Sequence, residues 1–105
     1  MNQFYDLFIE AINGTCLVEI KVHTEEKGII DRKCVPFDYG QSRRYKDGRD
    51  RFHFYDLNSP EGSHNLSILP ENLLSLTKLE EGFNPADYVT WTPNWIISRD
   101  WGERS

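Results

Sequence analysis

Between Thr15 and Phe37 the side chains alternate in a way that leaves few folds open. Cys16, Val18, Ile20 and Val22 fall on one face and Glu19 and Lys21 on the other, which is the period of a half-buried strand. Leu17 is out of step. Glu25-Glu26-Lys27-Gly28 then makes a polar turn ending in glycine, and Ile29 to Phe37 reads as a second strand closing a hairpin, with Pro36 near its end. A lone hairpin is at best marginally stable in water, so this one predicts further strands or a helix packed on its apolar face.

The flanking sequence supplies both. Phe4, Leu7, Phe8, Ala11 and Ile12 have helical spacing, predicting a short amphipathic helix over residues 4–12 that Asn13-Gly14 stops. Downstream, Asp47-Gly48 marks a turn, Arg51 to Leu57 a third strand, and Asn58 to Gly62 a dense turn signal. His64 to Leu69 is a fourth strand, Pro70-Glu71-Asn72 can begin a helical turn, and Leu73 to Leu79 alternates as a fifth strand. At 105 residues the chain fits one domain with one core. Hydrophobic content is only 38% while aromatics reach 13%, so large rings must supply much of the buried area.

Two segments stand apart from this framework. In Ser42 to Tyr55 five cations (Arg43, Arg44, Lys46, Arg49, Arg51) face two anions (Asp47, Asp50) and run into alternating aromatics, although the whole chain has a net charge of -5. Guanidinium groups beside aromatic faces suit a planar or anionic ligand; a solvated hairpin loop feeding a core strand is the alternative. The second segment, residues 83–101, carries Phe83, Tyr88, Trp91, Trp95 and Trp101 around Pro85 and Pro93. So many rings exclude a flexible linker: they either fold back on the same domain or meet a protein partner, for which Trp91, Trp95 and Trp101 are the contact candidates.

Other chemistry finds little support. Cys16 and Cys34 lie in apolar runs without metal-ligand spacing and read as reduced core residues; His53, His64 and Cys34 lack the paired spacing of a structural zinc site. Ser63-His64 beside Glu61 lacks a nucleophile elbow, Gly48 and Gly62 belong to no phosphate-binding loop, and Glu25-Glu26 and Glu80-Glu81 read as solvated turn acids. The expectation is a protein without enzymatic activity and without a cofactor. No run approaches the about 18 apolar residues of a membrane span, and Met1 opens no signal-peptide pattern, so a cytoplasmic protein with no membrane contact is expected.

Leu7-x-x-x-Ala11-Ile12, a hairpin, Arg32-x-x-Val35-Pro36-Phe37, a variable loop, an aromatic strand and a glycine-containing turn together resemble the WYL domain. The resemblance covers roughly residues 7–85, with Phe52-His53-Phe54 or a reading offset through Tyr55 at the signature strand, and Leu73-Leu74-Ser75-Leu76 followed by Phe83-Asn84-Pro85 at the last. It implies a mainly β domain, a small five-stranded SH3-like or Sm-like barrel over residues 15–79 behind the N-terminal helix, with the aromatic tail at 83–101. It also implies a ligand-sensing or regulatory module, in several relatives answering to nucleic acid or a nucleotide-like molecule and often fused to a helix-turn-helix, which the single short helix here cannot form. Where the family has two arginines before the last strand, this chain reads Leu69-Pro70-Glu71-Asn72-Leu73, so an anion held there in relatives loses its charge partners. The expected site is therefore Arg43, Arg44, Arg49, Arg51, His53 and Tyr55, for an anionic small molecule, a nucleotide or a short single-stranded nucleic acid.

Overall fold

The computed structural model describes residues 3–105. Helix α1 (Tyr5–Gly14) buries Phe8, Ala11 and Ile12, the positions that helical spacing selects. It runs through Gly14, and the stop is made by Thr15, which takes a left-handed conformation at φ 49°. That backbone is held from both sides: the Thr15 N–H donates to the Ile12 carbonyl at 3.2 Å, and its own carbonyl accepts from Phe83 at 3.0 Å. Long-range contact with the end of the last strand thus places the cap one residue beyond the Asn13-Gly14 signal.

Five antiparallel strands follow: β1 (Cys16–Thr24), β2 (Gly28–Gln41), β3 (Asp50–Asp56), β4 (His64–Ile68) and β5 (Leu73–Gly82), in the order β4-β3-β2-β1-β5. A 3-10 turn at Pro70–Asn72 joins β4 to β5. Among the described residues β4 and β5 are the two edges of the sheet, so the expected mainly β, five-stranded domain behind a short helix is present, with its ladder open between β4 and β5. β4 has only five residues, and the turn after it sends the chain across to pair with β1 instead.

Pro36 does not end β2. The pairing with β3 shifts register between Pro36 and Asp38, and the strand continues to Gln41. A proline has no N–H for the ladder, and a bulge accommodates it while bending the strand. Leu17 falls at a similar irregularity between Cys16 and Val18, which is why it is buried although out of step with its neighbours.

Much of the core lies between α1 and the face of the sheet that carries Phe52 and Phe54. Phe8 stands edge-on to Phe52 at 5.0 Å and Phe54 at 5.4 Å, with Ile12, Val18 and Ile20 buried on the same side, while Val35, paired with Tyr55, is buried on the opposite face. Cys34 is buried, and burial pushes its thiol pKa well above the ordinary value; Cys16 is half-buried, and both are free. The residues after β5 pair with no strand, yet Val89, Ile97, Arg99 and Trp101 are buried. No helix among the described residues is long and apolar enough to cross a membrane.

Candidate functional site

Successive residues of β3 face opposite ways: Phe52 and Phe54 meet α1, leaving Arg51, His53 and Tyr55 on the other face. The tail takes up much of that face. The Asp38 carboxylate, on β2, accepts from the backbone N–H groups of Ile96 and Ile97 at 2.9 Å each and of Tyr39 at 3.0 Å. Ile96 then closes over Gly40, where a Cβ would lie 2.1 Å from its Cδ1, so the absence of a side chain at 40 is what admits the tail. Arg99 is buried between the rings of Trp95 at 4.0 Å and Trp101 at 4.5 Å, with its Nη2 3.4 Å from Asp38. Desolvation pulls the Arg99 pKa down to about 10, against the attraction of Asp38. Trp101 is anchored further by its indole N–H, which donates to the Ile12 carbonyl at 2.9 Å.

The tail tryptophans therefore divide. Trp101 is core, Trp95 is half-buried and donates to the Arg104 carbonyl at 2.7 Å, and Trp91 alone keeps a large exposed surface, edge-on to Phe37. The rings fold back on their own domain.

His53 and Tyr55 are engaged on the same face. The His53 ring bridges the Gly40 carbonyl at 2.9 Å and the Ser67 hydroxyl at 2.8 Å, while Tyr55 lies against Phe37 and Tyr88. His64, paired with Asp56 three residues along β3, belongs to the opposite face and does not converge with His53. Among the described residues no cluster of three His, Cys, Asp or Glu could hold a metal ion.

The loop between β2 and β3 is shaped by its own side chains. The Ser42 hydroxyl accepts from the N–H of Arg44 and Tyr45, Asp47 accepts from the N–H of Arg49, and Gly48 takes the left-handed conformation at φ 72°. Arg51 is buried and reaches back to Asp47 with two parallel bonds of 3.0 Å, and the Tyr45 ring covers its guanidinium at 4.2 Å. Those bonds hold the Asp47 carboxyl at about 2 and raise the Arg51 pKa. Arg49 pairs with Glu71, the carboxylate that stands in the arginine-free stretch before β5.

Two of the five cations are thus paired within the chain, Arg51 buried and Arg49 at the surface. Arg43, Arg44 and Lys46 are exposed, and among the described residues none of them has an ion pair; the nearest partner is the Tyr45 ring, 5.5 Å from Arg44. Gln41, Ser42, Arg43, Tyr45, Lys46 and Gly48 line an open concavity of about 450 Å³. A second concavity, about 220 Å³, lies between the β1–β2 and β3–β4 turns. Its cations are committed, Arg32 to the buried Asp56 at 3.1 Å and Lys27 to Glu61 at 2.6 Å, so it offers an anion much less.

Of the six residues expected at the site, Arg43 lines the concavity, Arg44 is exposed in the same loop, Arg49 and Arg51 shape the loop, His53 is bonded to Gly40 and Ser67, and Tyr55 packs against Tyr88 of the tail. Sequence reasoning missed Tyr45 and Lys46 as site residues and Asp38 and Arg99 as the tail's anchor. One signal was present: Asp38 is a carboxylate inside the apolar run Cys34 to Tyr39, where a buried charge requires partners.

No family model matches the chain, and no curated protein does. Among solved structures, proteasome accessory factor B/C (PafBC) of Arthrobacter aurescens is similar, with a TM-score of 0.61 and 16% identity over 87% of this chain. The match spans 13% of that protein's chain. What the two share is a fold, that of one small segment of the larger protein.

Proposed function

We propose that this domain is a non-enzymatic regulatory module that captures an anionic group at the loop between β2 and β3. The observation that carries the reading is the set of three cations without ion pairs in one loop, Arg43 and Lys46 lining an open concavity and Arg44 between them in sequence, in a chain whose net charge is -5. A loop that only served solubility in an acidic protein would gain nothing from cations left unpaired and close together, since like charges repel. The Tyr45–Arg51–Asp47 stack lowers the ordering cost of binding by holding the loop's shape in advance. The shared fold with a segment of an accessory factor, together with the resemblance to the WYL domain, supports a binding role over a catalytic one.

The test is a panel of anionic probes at low salt: a nucleoside triphosphate, a short single-stranded oligonucleotide and an acidic peptide, read by thermal shift and fluorescence anisotropy. At least one is expected to bind and to weaken with salt; for the oligonucleotide three phosphate contacts give a log–log slope of about -2. Replacing Arg43, Arg44 and Lys46 together with alanine should remove both the binding and the salt dependence. No binding of any probe at low salt, or equal binding by the triple variant, refutes the reading.

A further inference from the structure

Among the described residues five large hydrophobic side chains are exposed: Ile29, Tyr45, Leu74, Trp91 and Ile96. Two of these, Tyr45 and Ile96, adjoin the same cross-strand pair. Gly40 of β2 pairs with Arg51 of β3; Ile96 rests on Gly40, and Tyr45 covers Arg51. Ile96 is the more unusual, 65% exposed although its backbone is fixed by the Asp38 carboxylate. A side chain held this firmly and still presented to water is a preformed contact surface, because little further ordering is needed to bury it. Tyr45 also lines the concavity with Arg43 and Lys46, and Arg44 lies 5.5 Å from its ring.

We infer that the loop and the tail together form one docking surface for a protein segment that carries acidic side chains next to an aliphatic or aromatic one. The carboxylates lie on Arg43, Arg44 and Lys46, and the apolar side chain covers Ile96 and Tyr45. This rests on the loop binding an anionic group and names its bearer. Charge complementarity and the nature of the apolar partner favour a peptide over a nucleic acid. Three cations confined to one loop match one or two carboxylates, whereas a polynucleotide backbone needs a cationic track, and here Asp47, Asp50 and Glu71 interrupt it. Ile96 offers no face for base stacking but suits an aliphatic contact.

The probe is a fluorescein-labelled peptide with one leucine set among glutamates, compared with the same peptide carrying alanine for leucine and with a labelled single-stranded oligonucleotide. The leucine peptide is expected to bind most tightly. Ile96→Ser should weaken it about tenfold without changing its salt dependence, as lost apolar burial predicts. The Arg43, Arg44 and Lys46 triple alanine variant should instead flatten the salt dependence. Equal affinity for leucine and alanine peptides, or no effect of Ile96→Ser, overturns the shared surface while leaving anion capture by the loop intact. Tighter binding of the oligonucleotide overturns it in favour of nucleic acid, and failure of both peptide and oligonucleotide to bind overturns it as well, leaving anion capture to be decided by the nucleoside triphosphate.

Discussion

Replacing Asp38 with alanine probes the junction between tail and sheet. The carboxylate accepts three backbone N–H bonds of 2.9 to 3.0 Å and faces the buried Arg99 at 3.4 Å. Its removal strands the Ile96 and Ile97 donors and leaves a guanidinium without its counter-charge, in a place where burial already holds its pKa down to about 10. Breaking a buried pair in this way costs about 3–5 kcal/mol. Hydrogen bonds to a charged acceptor are worth about 1.5–3 kcal/mol each, but these contributions overlap, so about 4 kcal/mol is expected overall. For a domain whose total stability is typically about 5–15 kcal/mol, the midpoint of thermal unfolding should fall by about 15–30 °C. Urea unfolding followed by tryptophan fluorescence measures this, and proteolysis should cut first within residues 88–101. Adding Arg99→Met to Asp38→Ala should recover part of the loss, since an apolar replacement leaves no unpaired charge. A single variant within about 1 kcal/mol of the parent, with the tail still protected from protease, would refute the claim that Asp38 anchors the tail.

Three more outcomes are expected. Gly40→Ala should cost about 1 kcal/mol, because the new Cβ forces Ile96 from its rotamer, and Ile96→Ala should abolish that cost in a double-mutant cycle. Asp47 has a folded pKa of about 2, below the ordinary value of about 3.9, so its contribution to loop order is present above the ordinary value and lost as pH falls toward 2; a carbon-13 titration of its carboxylate, with and without Arg51→Lys, checks this. Thiol labelling of the folded protein should modify the half-buried Cys16 well before the buried Cys34, whose thiolate is disfavoured.

The strands were legible because their period is local. Alternation in residues 15–22, turn glycines at 28 and 48 and the polar run before His64 all reflect preferences that neighbouring residues satisfy among themselves. The elements that departed from expectation depend on distant partners. Thr15 rather than Gly14 ends the helix because Phe83 bonds to it, and β2 passes through Pro36 because a bulge against β3 absorbs the missing donor. The site divides the same way. A local excess of cations was visible in Ser42 to Tyr55, but their pairing was not: Arg51 turns back to Asp47 and Arg49 reaches Glu71, and only the folded geometry separates them from Arg43, Arg44 and Lys46. Likewise, the engagement of His53 by Gly40 and Ser67 and of Tyr55 by Tyr88 of the tail depends on partners distant in sequence.

Anion capture by the loop is tested most directly by mapping backbone amide shifts by NMR during titration with an acidic peptide and, separately, a nucleoside triphosphate. The account predicts that at least one of them shifts amides within residues 41–49, reversed by added salt, while Lys27, Arg32 and His64 at the second concavity stay unmoved. Shifts centred on that second concavity, or none within the loop for either ligand, would contradict it.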